Sequence, residues 1–267
     1  MISSLKQIKD RIRSIENTRA VTRAMEMVSV SKLKNCDGRL KMLRAYCREI
    51  EAVAGQVIPA SESPHPYFAA PEDDARKTLL IILGGDNGLC GSYTSNIIRA
   101  AREHAVSRGG TVEIAAAGKK CFDYFSRAGY PTVRLCPDMK GGYSEAAARE
   151  LSDFAERAFT EAPDRRIYVA HTVFVSALNY RPAVRQFLPL ERGRTASAWF
   201  LFEPDEPAFL EGFLSAYLGS RMRLYLLESL TAEHSARAVA MKTATDNAKD
   251  LLEYLILTRN KMRQAMI

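Results

Sequence analysis

The stretch whose residue types could do chemistry runs from Gly84 to Gly91, with the sequence GGDNGLCG. It follows an apolar segment typical of a buried strand and precedes a predicted helix, which is a place where phosphates often bind. Its glycines, however, are spaced as GGxxGxxG, and it lacks the Lys-Ser/Thr pair of a P-loop. We interpret the stretch as a tight strand-to-helix turn, with phosphate binding as the alternative.

Other residues that could do chemistry are scattered along the chain. Cys90 has no His close in sequence to generate a thiolate, so we expect a small buried side chain there. The cysteines are odd in number, far apart and without a CxxC pair, which predicts reduced thiols and no metal site: Cys36, Cys47, Cys90, Cys121 and Cys136. The four histidines show no HExxH spacing, and His234 is expected to pack in a helix seam. We therefore expect a chain that is not an enzyme by itself and that holds no cofactor and no metal.

Alternating strand and helix patterns surround the glycine-rich stretch. The predicted strands are 78–83, 112–117, 132–136, 166–176 and 183–190, and the predicted helices between them are 93–107, 119–128 and 145–161. Ser144 is expected to cap the last of these helices. This alternation favours an α/β fold with a largely parallel sheet over residues 75–190.

Long helices are predicted at both termini. Residues 1–58 contain no proline and only two glycines, and residues 220–267 contain neither. Apolar residues recur in both segments at alternating spacings of three and four, as in coiled coils. Because each helix alone would leave an apolar stripe in water, we expect the segments 1–58 and 207–267 to pair. Such a pair would be long enough to form a shaft made for a partner.

The excess of basic over acidic residues is concentrated in the first helix. The net charge is +7, and residues 1–60 carry 12 basic against 6 acidic residues, a net of +6. A basic helix suggests an acidic partner, which could be nucleic acid, an anionic membrane or a protein. A nucleic-acid-binding or scaffold protein, and a phosphate-handling enzyme using residues 84–91, are therefore kept as alternatives. Against nucleic acid, Tyr46 is the only aromatic residue in residues 1–58.

Six short stretches in three regions of the chain resemble the gamma subunit of the rotary F-type ATP synthase. They are SLKQIKDRI at 4–12 with TRAMEMV at 22–28, DNGLCG at 86–91, and ESLTAEHSAR at 228–237 with ATDNA at 244–248 and NKMRQA at 260–265. The matches cover the chain in order. The resemblance implies an α/β fold class in which a long antiparallel coiled coil of the N- and C-terminal helices stands on a central Rossmann-like domain.

The resemblance also implies a function and partners. The coil would occupy the central cavity of a catalytic head of alpha and beta subunits, and the base would bind the epsilon subunit and the membrane c-ring. The chain would then be a non-catalytic rotor that transmits torque during ATP synthesis or hydrolysis. It would lie at the cytoplasmic face of the bacterial inner membrane, associated with the membrane only through the complex. This agrees with an N-terminus without an apolar signal-peptide core and with the lack of an apolar run of about 18 residues.

Residues that match the family's contact regions can be named. Those expected to contact the head are Arg19, Arg23, Met25, Glu26, Lys32, Arg237, Lys242, Asp246, Arg263 and Gln264. Seven of them, which we call the collar, are expected to bear torque against an acidic loop of the catalytic subunits: Arg19, Arg23, Met25, Glu26, Arg237, Lys242 and Asp246. Asp86, Asn87 and Cys90 are expected to contact the epsilon subunit and the membrane ring.

Two features depart from the family pattern. Asn87 stands where family members usually carry Arg, so a contact made through that Arg is expected to be weaker here. The sequence ends at Ile267, before the last helical turns usual in the family, and a divergent bacterial paralogue is therefore kept as an alternative. We expect weaker centring of the shaft at that end, without loss of torque.

Overall fold

The computed structural model describes residues 5–68, 77–135, 137, 142–192 and 200–265. Its elements are α1 (Leu5–Ala60), a 3-10 turn (Pro66–Phe68), β1 (Lys77–Leu83), α2 (Tyr93–Arg108), β2 (Thr111–Ala117), α3 (Lys119–Arg127), β3 (Thr132–Leu135), α4 (Glu145–Glu161), β4 (Arg165–Ser176), β5 (Asn179–Leu188) and α5 (Glu206–Ala265). Several ends of the predicted segments lie outside the described residues: 1–4, 75–76, Cys136 and 266–267.

Helices α1 and α5 pair as an antiparallel coil, as the resemblance implied. The start of α1 packs against the end of α5 in a buried cluster of Ile8, Ile12, Leu252 and Leu255. Further along, Thr245 donates a hydrogen bond to Thr22 at 2.9 Å, and Cys47 Sγ lies 3.5 Å from the carbonyl oxygen of Ser220. With 56 and 60 residues, the helices are about 84 and 90 Å long at about 1.5 Å per residue.

Within the described residues, five strands form one sheet in the order β3-β2-β1-β4-β5. All neighbouring pairs are parallel except β4 and β5, which form an antiparallel hairpin. The prediction of a largely parallel sheet is confirmed. The strand predicted at 183–190 begins earlier, at Asn179, because Ala177 and Leu178 alone make the turn that follows β4.

Strand β1 is buried on both of its faces. Leu79, Ile81 and Leu83 pack in the core that contains α4, α5 and the end of α1. Leu80 and Ile82 pack in the core that contains α2 and α3. Since a strand covered on both sides has no polar face, its sequence is a continuous apolar run. The coil and α4 therefore lie on one face of the sheet, with α2 and α3 on the other.

The predicted cap of α4 is present. The backbone N–H of Ala147 donates to Ser144 Oγ at 3.3 Å, which satisfies one of the free donors at the start of the helix.

Candidate functional site

Glycines in and near the 84–91 turn occupy positions where a side chain would collide with its neighbours. A Cβ on Gly84 would overlap Cys121 Sγ, and one on Gly85 would lie 2.8 Å from Glu233 Cδ. Gly118 has a φ of 128°, and a Cβ there would lie 2.6 Å from the backbone of Gly84. Close approach of α3 and α5 to the turn thus explains these glycines without a ligand, which supports the interpretation as a tight turn.

Carboxylates of the chain itself occupy the places near this turn that would attract a phosphate. Asp86 Oδ1 accepts a hydrogen bond of 2.8 Å from the backbone N–H of Lys119, at the start of α3. The carboxylate of Glu233 packs directly on Gly85 and is ion-paired with Arg237. A bound phosphate would have to displace or oppose both charges, which argues against the phosphate-binding alternative.

Cys90 is a buried residue, as expected, with 2% of its surface exposed. Its Sγ lies 3.4 Å from Thr94 Oγ1 and 3.9 Å from the carbonyl oxygen of Asn87. It packs with Leu40 of the coil. The Cys90 side chain is therefore covered by the chain itself, while Asp86 and Asn87 are exposed.

The turn lies against the middle of the coil, and together they form a groove. Its lining residues are Ala24, Met25, Val28, Ser29 and Lys32 of α1, Asn87, Gly88 and Leu89 of the turn, and His234 and Arg237 of α5. Leu89 has a φ of 61° and is 59% exposed, and it borders a second groove with Val21 and Met25. Asn87 is predicted to contact the epsilon subunit and the membrane ring, and Met25 and Lys32 are predicted to contact the head. The structure places all three in the same groove.

The other predicted contact residues are distributed over the coil. Arg19, half-buried, and Arg23, exposed, line a separate groove with Met27 and Leu252. Glu26 is half-buried, and the remaining four are exposed: Lys242, Asp246, Arg263 and Gln264. Arg237 differs from these, because it is only 9% exposed and its Nε donates to the carbonyl oxygen of Gly88 at 3.3 Å. Within this chain, the Arg237 guanidinium fastens α5 to the turn.

A buried polar segment of α5 was missed by the sequence analysis. Between Tyr225 and Ala238 every residue except Leu230 is buried, and we call this segment the polar band. Its polar members are Glu228, Ser229, Thr231, Glu233, His234, Ser235 and Arg237. Such a composition is typical of an exposed helix. The available signal was the run of Ser, Thr and Ala on every side of the helix, since small residues let neighbours approach from all directions.

At the centre of the polar band, Glu228 binds Arg44 of α1. The Arg44 Nε and Nη2 atoms lie 3.1 and 2.5 Å from Glu228 Oε1, and Nη2 also donates to the carbonyl oxygen of Phe174 in β4. Burial raises the pKa of Glu228, and the Arg44 hydrogen bond opposes that shift. His171 Nδ1 lies 3.7 Å from Glu228 Oε2, but burial lowers the pKa of His171 to about 3, so this imidazole is neutral at pH 7.

Two hydroxyls of the polar band bind the β4–β5 hairpin. Ser229 Oγ accepts a hydrogen bond of 3.0 Å from the backbone N–H of Thr172, and Ser235 Oγ donates to the carbonyl oxygen of Ala177 at 2.6 Å. His234 is packed, as expected, and within the described residues neither of its ring nitrogens has a hydrogen-bond partner. Burial is the main reason that the pKa of His234 is lowered to about 4.

Known proteins are similar to this chain in both sequence and fold. A family model described as ATP synthase matches residues 4–267. The ATP synthase gamma chain of Pelotomaculum thermopropionicum is 32% identical over 269 residues, covering 99% of this chain and 94% of the relative. The gamma chain of Chloroflexus aurantiacus is 33% identical over 274 residues, with the same two coverages.

Solved structures of ATP synthase stalks align with the same architecture. A rotor chain of the Euglena gracilis mitochondrial enzyme gives a TM-score of 0.70 at 16% identity, covering 98% of both chains. A chain from the central stalk and c-ring of the Tetrahymena thermophila enzyme gives 0.62 at 21% identity, covering 84% of this chain and 99% of that one. These matches confirm the fold class and give no support to a nucleic-acid-binding protein. The chain belongs to the family of ATP synthase gamma chains, the non-catalytic subunits of the central stalk.

Proposed function

We propose that the coil of this chain turns inside a head of alpha and beta subunits and passes torque to or from a membrane c-ring. The observation that carries the proposal is the free end of the coil, where Ile8 and Ile12 pack with Leu252 and Leu255 in a cluster that, among the residues that the structure describes, contains members of α1 and α5 only. A helix pair with no sheet behind it can enter a cavity in another protein. Two helices wound together also resist bending and twisting better than one.

The proposal divides the chain into a shaft and a base. The shaft consists of residues 1–58 and 207–267, and the base of residues 75–190. As far as the chain is described, the core formed by α2, α3 and the inner strands contains no residue of the coil, which supports the base as a unit of its own. The end of α1 and the start of α5 pack on the other face of the sheet and join the two parts.

The exposed and half-buried members of the collar, together with Lys32, are proposed to meet the head, whereas the buried Arg237 is proposed to hold the turn against α5. The first helix carries most of the net positive charge of the chain, and an acidic loop of the catalytic subunits is its proposed partner. Exposed charge pairs are each worth only about 0–1 kcal/mol, so many weak contacts can form and break as the shaft turns. Arg23, Lys242 and Asp246 are exposed and suited to such contacts. Arg263 and Gln264 are proposed to contact the head nearer the free end of the coil.

The position of the turn favours a different partner for Asp86 and Asn87 from the one expected from the sequence. Asn87 shares a groove with Met25 and Lys32, which lie on the part of α1 proposed to meet the head. We therefore assign Asp86 and Asn87 to the head side, and give Cys90, which is buried, the role of holding the turn in place.

The epsilon subunit and the c-ring are then proposed to bind near the opposite end of the coil. There α1 ends at Ala60 and α5 begins at Glu206. Glu206 Oε1 accepts hydrogen bonds from Ser61 Oγ at 2.7 Å and from the backbone N–H groups of Glu62 and Ser63 at 2.9 Å. These bonds tie the exit of one helix to the start of the other, which gives partners a defined surface.

The proposed location follows from the complex. In the part of the chain that the structure describes, no helix is long and apolar enough to cross a membrane. We propose a peripheral position at the cytoplasmic face of the bacterial inner membrane, reached through the c-ring.

Reconstitution tests the proposed function. The chain is mixed with alpha and beta subunits, separated by size exclusion and assayed for ATP hydrolysis. We expect a complex with one copy of the chain per head and with ATPase activity. A folded chain that forms no such complex would contradict the proposal, and salt-sensitive DNA binding by that chain would revive the nucleic-acid alternative.

A further inference from the structure

Hydrogen bonds from Arg44 and the polar band reach four main-chain groups of the α/β layer. The four groups are the carbonyl oxygens of Phe174, Ala177 and Gly88 and the N–H of Thr172. We propose that the polar band is the mechanical junction through which torque passes between coil and sheet, with Glu228 as the positioning residue at its centre. This inference rests on the proposed rotor function and deepens it.

The Arg44–Glu228 contact joins three elements at one point. Arg44 comes from α1, Glu228 from α5 and the carbonyl group of Phe174 from β4. A guanidinium group is planar and presents its donors in fixed directions, so binding two acceptors at once fixes their relative positions. The Glu228 side chain is only 8% exposed, so water offers its carboxylate little substitute for Arg44. Rotation of either helix against the sheet would break these bonds.

The serine contacts extend the attachment along the helix. Ser229 and Ser235 are six residues apart, which is about 9 Å along the axis at about 1.5 Å per residue. Both bind the same hairpin, one through β4 and the other through its turn. Hydrogen bonds depend on direction, whereas apolar contacts do not and allow surfaces to slip. Attachments at separate heights therefore oppose both sliding of α5 along its axis and rotation about it.

Lateral attachment stops at the end of the polar band. In the described part of α5 beyond Ala238, the side-chain hydrogen bonds of Thr243 and Thr258 return to the helix itself. Thr245 Oγ1 contacts both the carbonyl oxygen of Met241 in its own helix and Thr22 Oγ1 of the paired helix. A twist applied to the free end therefore meets its first fixed point at the polar band. The compliance of these bonds then sets how far the base lags behind the coil.

The test measures torsional stiffness in the assembled complex of this chain with alpha and beta subunits. The coil is held in the head without ATP, and a bead is attached to the exposed α2 position 103 through Glu103→Cys. In Glu228→Gln, the size of the side chain is kept but its charge is lost. We expect the angular variance of the bead to increase about two-fold, because the ion pair with Arg44 is replaced by a weaker hydrogen bond to a neutral acceptor. ATP hydrolysis is expected to stay within about two-fold, since no catalytic group has changed.

A second variant keeps the test decisive if Glu228→Gln fails to fold. Ser229→Ala/Ser235→Ala removes both hydroxyl attachments while keeping good helix formers, and should also increase the angular variance. Two controls should leave the variance unchanged. Glu253→Gln changes an exposed carboxylate beyond the polar band, and Phe159→Leu shortens a buried core side chain of α4, which is not itself part of the polar band.

The outcomes separate this inference from the function on which it rests. Wild-type stiffness in both the Glu228 and the serine variants would overturn the junction while leaving the rotor intact. An increase in the Phe159→Leu control as large as in the junction variants would also overturn it, because the effect would then be one of general stability. Failure of the wild-type chain to assemble with the head would instead overturn the proposed function.

Discussion

Two parts of the same helix, α5, differ sharply in what surrounds them. The polar band, residues 225–238, is buried on nearly all sides, although half of its residues are polar. The following segment, residues 239–265, buries only Met241, Ala248, Leu252 and Leu255, which form a narrow stripe against α1. A helix with one neighbour needs one apolar stripe, whereas a helix with neighbours on every side needs small residues and satisfied polar groups.

The two segments also differ in what their polar side chains bind. In the polar band, side chains bind main-chain groups of the sheet and the turn. Beyond it, charged residues such as Lys242 and Asp246 are exposed to whatever surrounds the coil. Buried hydrogen bonds hold one arrangement, and exposed charges in water can exchange partners at little cost.

The largest expected difference between the two parts comes from removing the basic partner of one carboxylate in each, Glu228 in the polar band and Glu253 beyond it. Arg44→Met leaves the buried carboxylate of Glu228 without its cation and should lower the free energy of unfolding by about 3 kcal/mol or more. Lys249→Met removes an exposed cation 4.0 Å from Glu253 and should change the free energy of unfolding by less than about 0.5 kcal/mol. Urea unfolding followed by circular dichroism measures both. Equal effects would remove the distinction between the two parts.

Acid should weaken the polar band before the free end of the coil. The pKa values of His171 and His234 are lowered to about 3 and about 4, whereas an unfolded His titrates near 6.5. Between pH 6.5 and 4 the unfolded chain therefore binds more protons, and the free energy of unfolding falls as pH falls, by about 3 kcal/mol or more. Glu228, whose pKa is raised, has the opposite effect.

The variant His171→Phe isolates the histidine contribution to this acid sensitivity. His171 stacks on Tyr225 at 4.1 Å between ring centroids, and Phe can keep that contact. Urea unfolding at several pH values should show a smaller loss of stability in the variant between pH 6.5 and 4. A curve parallel to the wild type would show that His171 does not titrate in this way.

Replacing glycine by alanine should have opposite effects on stability at a closely packed position next to the polar band and at an exposed position of the coil. Gly85→Ala forces a Cβ to within 2.8 Å of Glu233 and should destabilise by about 1–3 kcal/mol. Gly38→Ala lies in an exposed part of α1, where among the described residues the added Cβ would meet nothing within 4 Å outside the helix's own backbone, and should stabilise by about 0.5–1 kcal/mol. Thermal unfolding compares the two variants, and a stabilising Gly85→Ala would mean that the turn is not closely packed.

The smallest expected effect on stability comes from Arg23, an exposed residue of the coil that is proposed to contact the head. Arg23→Glu changes an exposed residue and should alter the free energy of unfolding by less than about 0.5 kcal/mol. In the assembled complex it should slow ATP hydrolysis by roughly two- to five-fold, equivalent to about 0.4–1 kcal/mol for a weak charge contact. The matched control Arg102→Glu, on the exposed side of α2, should not. An unchanged rate in Arg23→Glu would count against the collar.

The elements could be predicted because their signals are local. Buried strands such as β1 are continuous apolar runs, the terminal helices lack proline in their interiors, and the cap at Ser144 lies next to the helix that it caps. The family could be recognised from short matching stretches. Each of these signals depends on residues that are close together in the sequence.

The contacts that organise the site could not be predicted, because they join distant residues. Arg44 and Glu228 are 184 positions apart, and Asp86 binds a backbone N–H 33 positions later. A heptad pattern gives the seam between two helices, but it does not say which outer face meets the base. The position of the turn beside Met25, and the burial of Arg237, therefore came only from the structure.

The most direct test of the central claim is single-molecule rotation. The chain is assembled with alpha and beta subunits fixed to a surface, and a bead is attached to its base through Glu103→Cys. We predict rotation of the bead in one direction that depends on ATP. ATP hydrolysis by the complex without rotation of the bead would contradict the account.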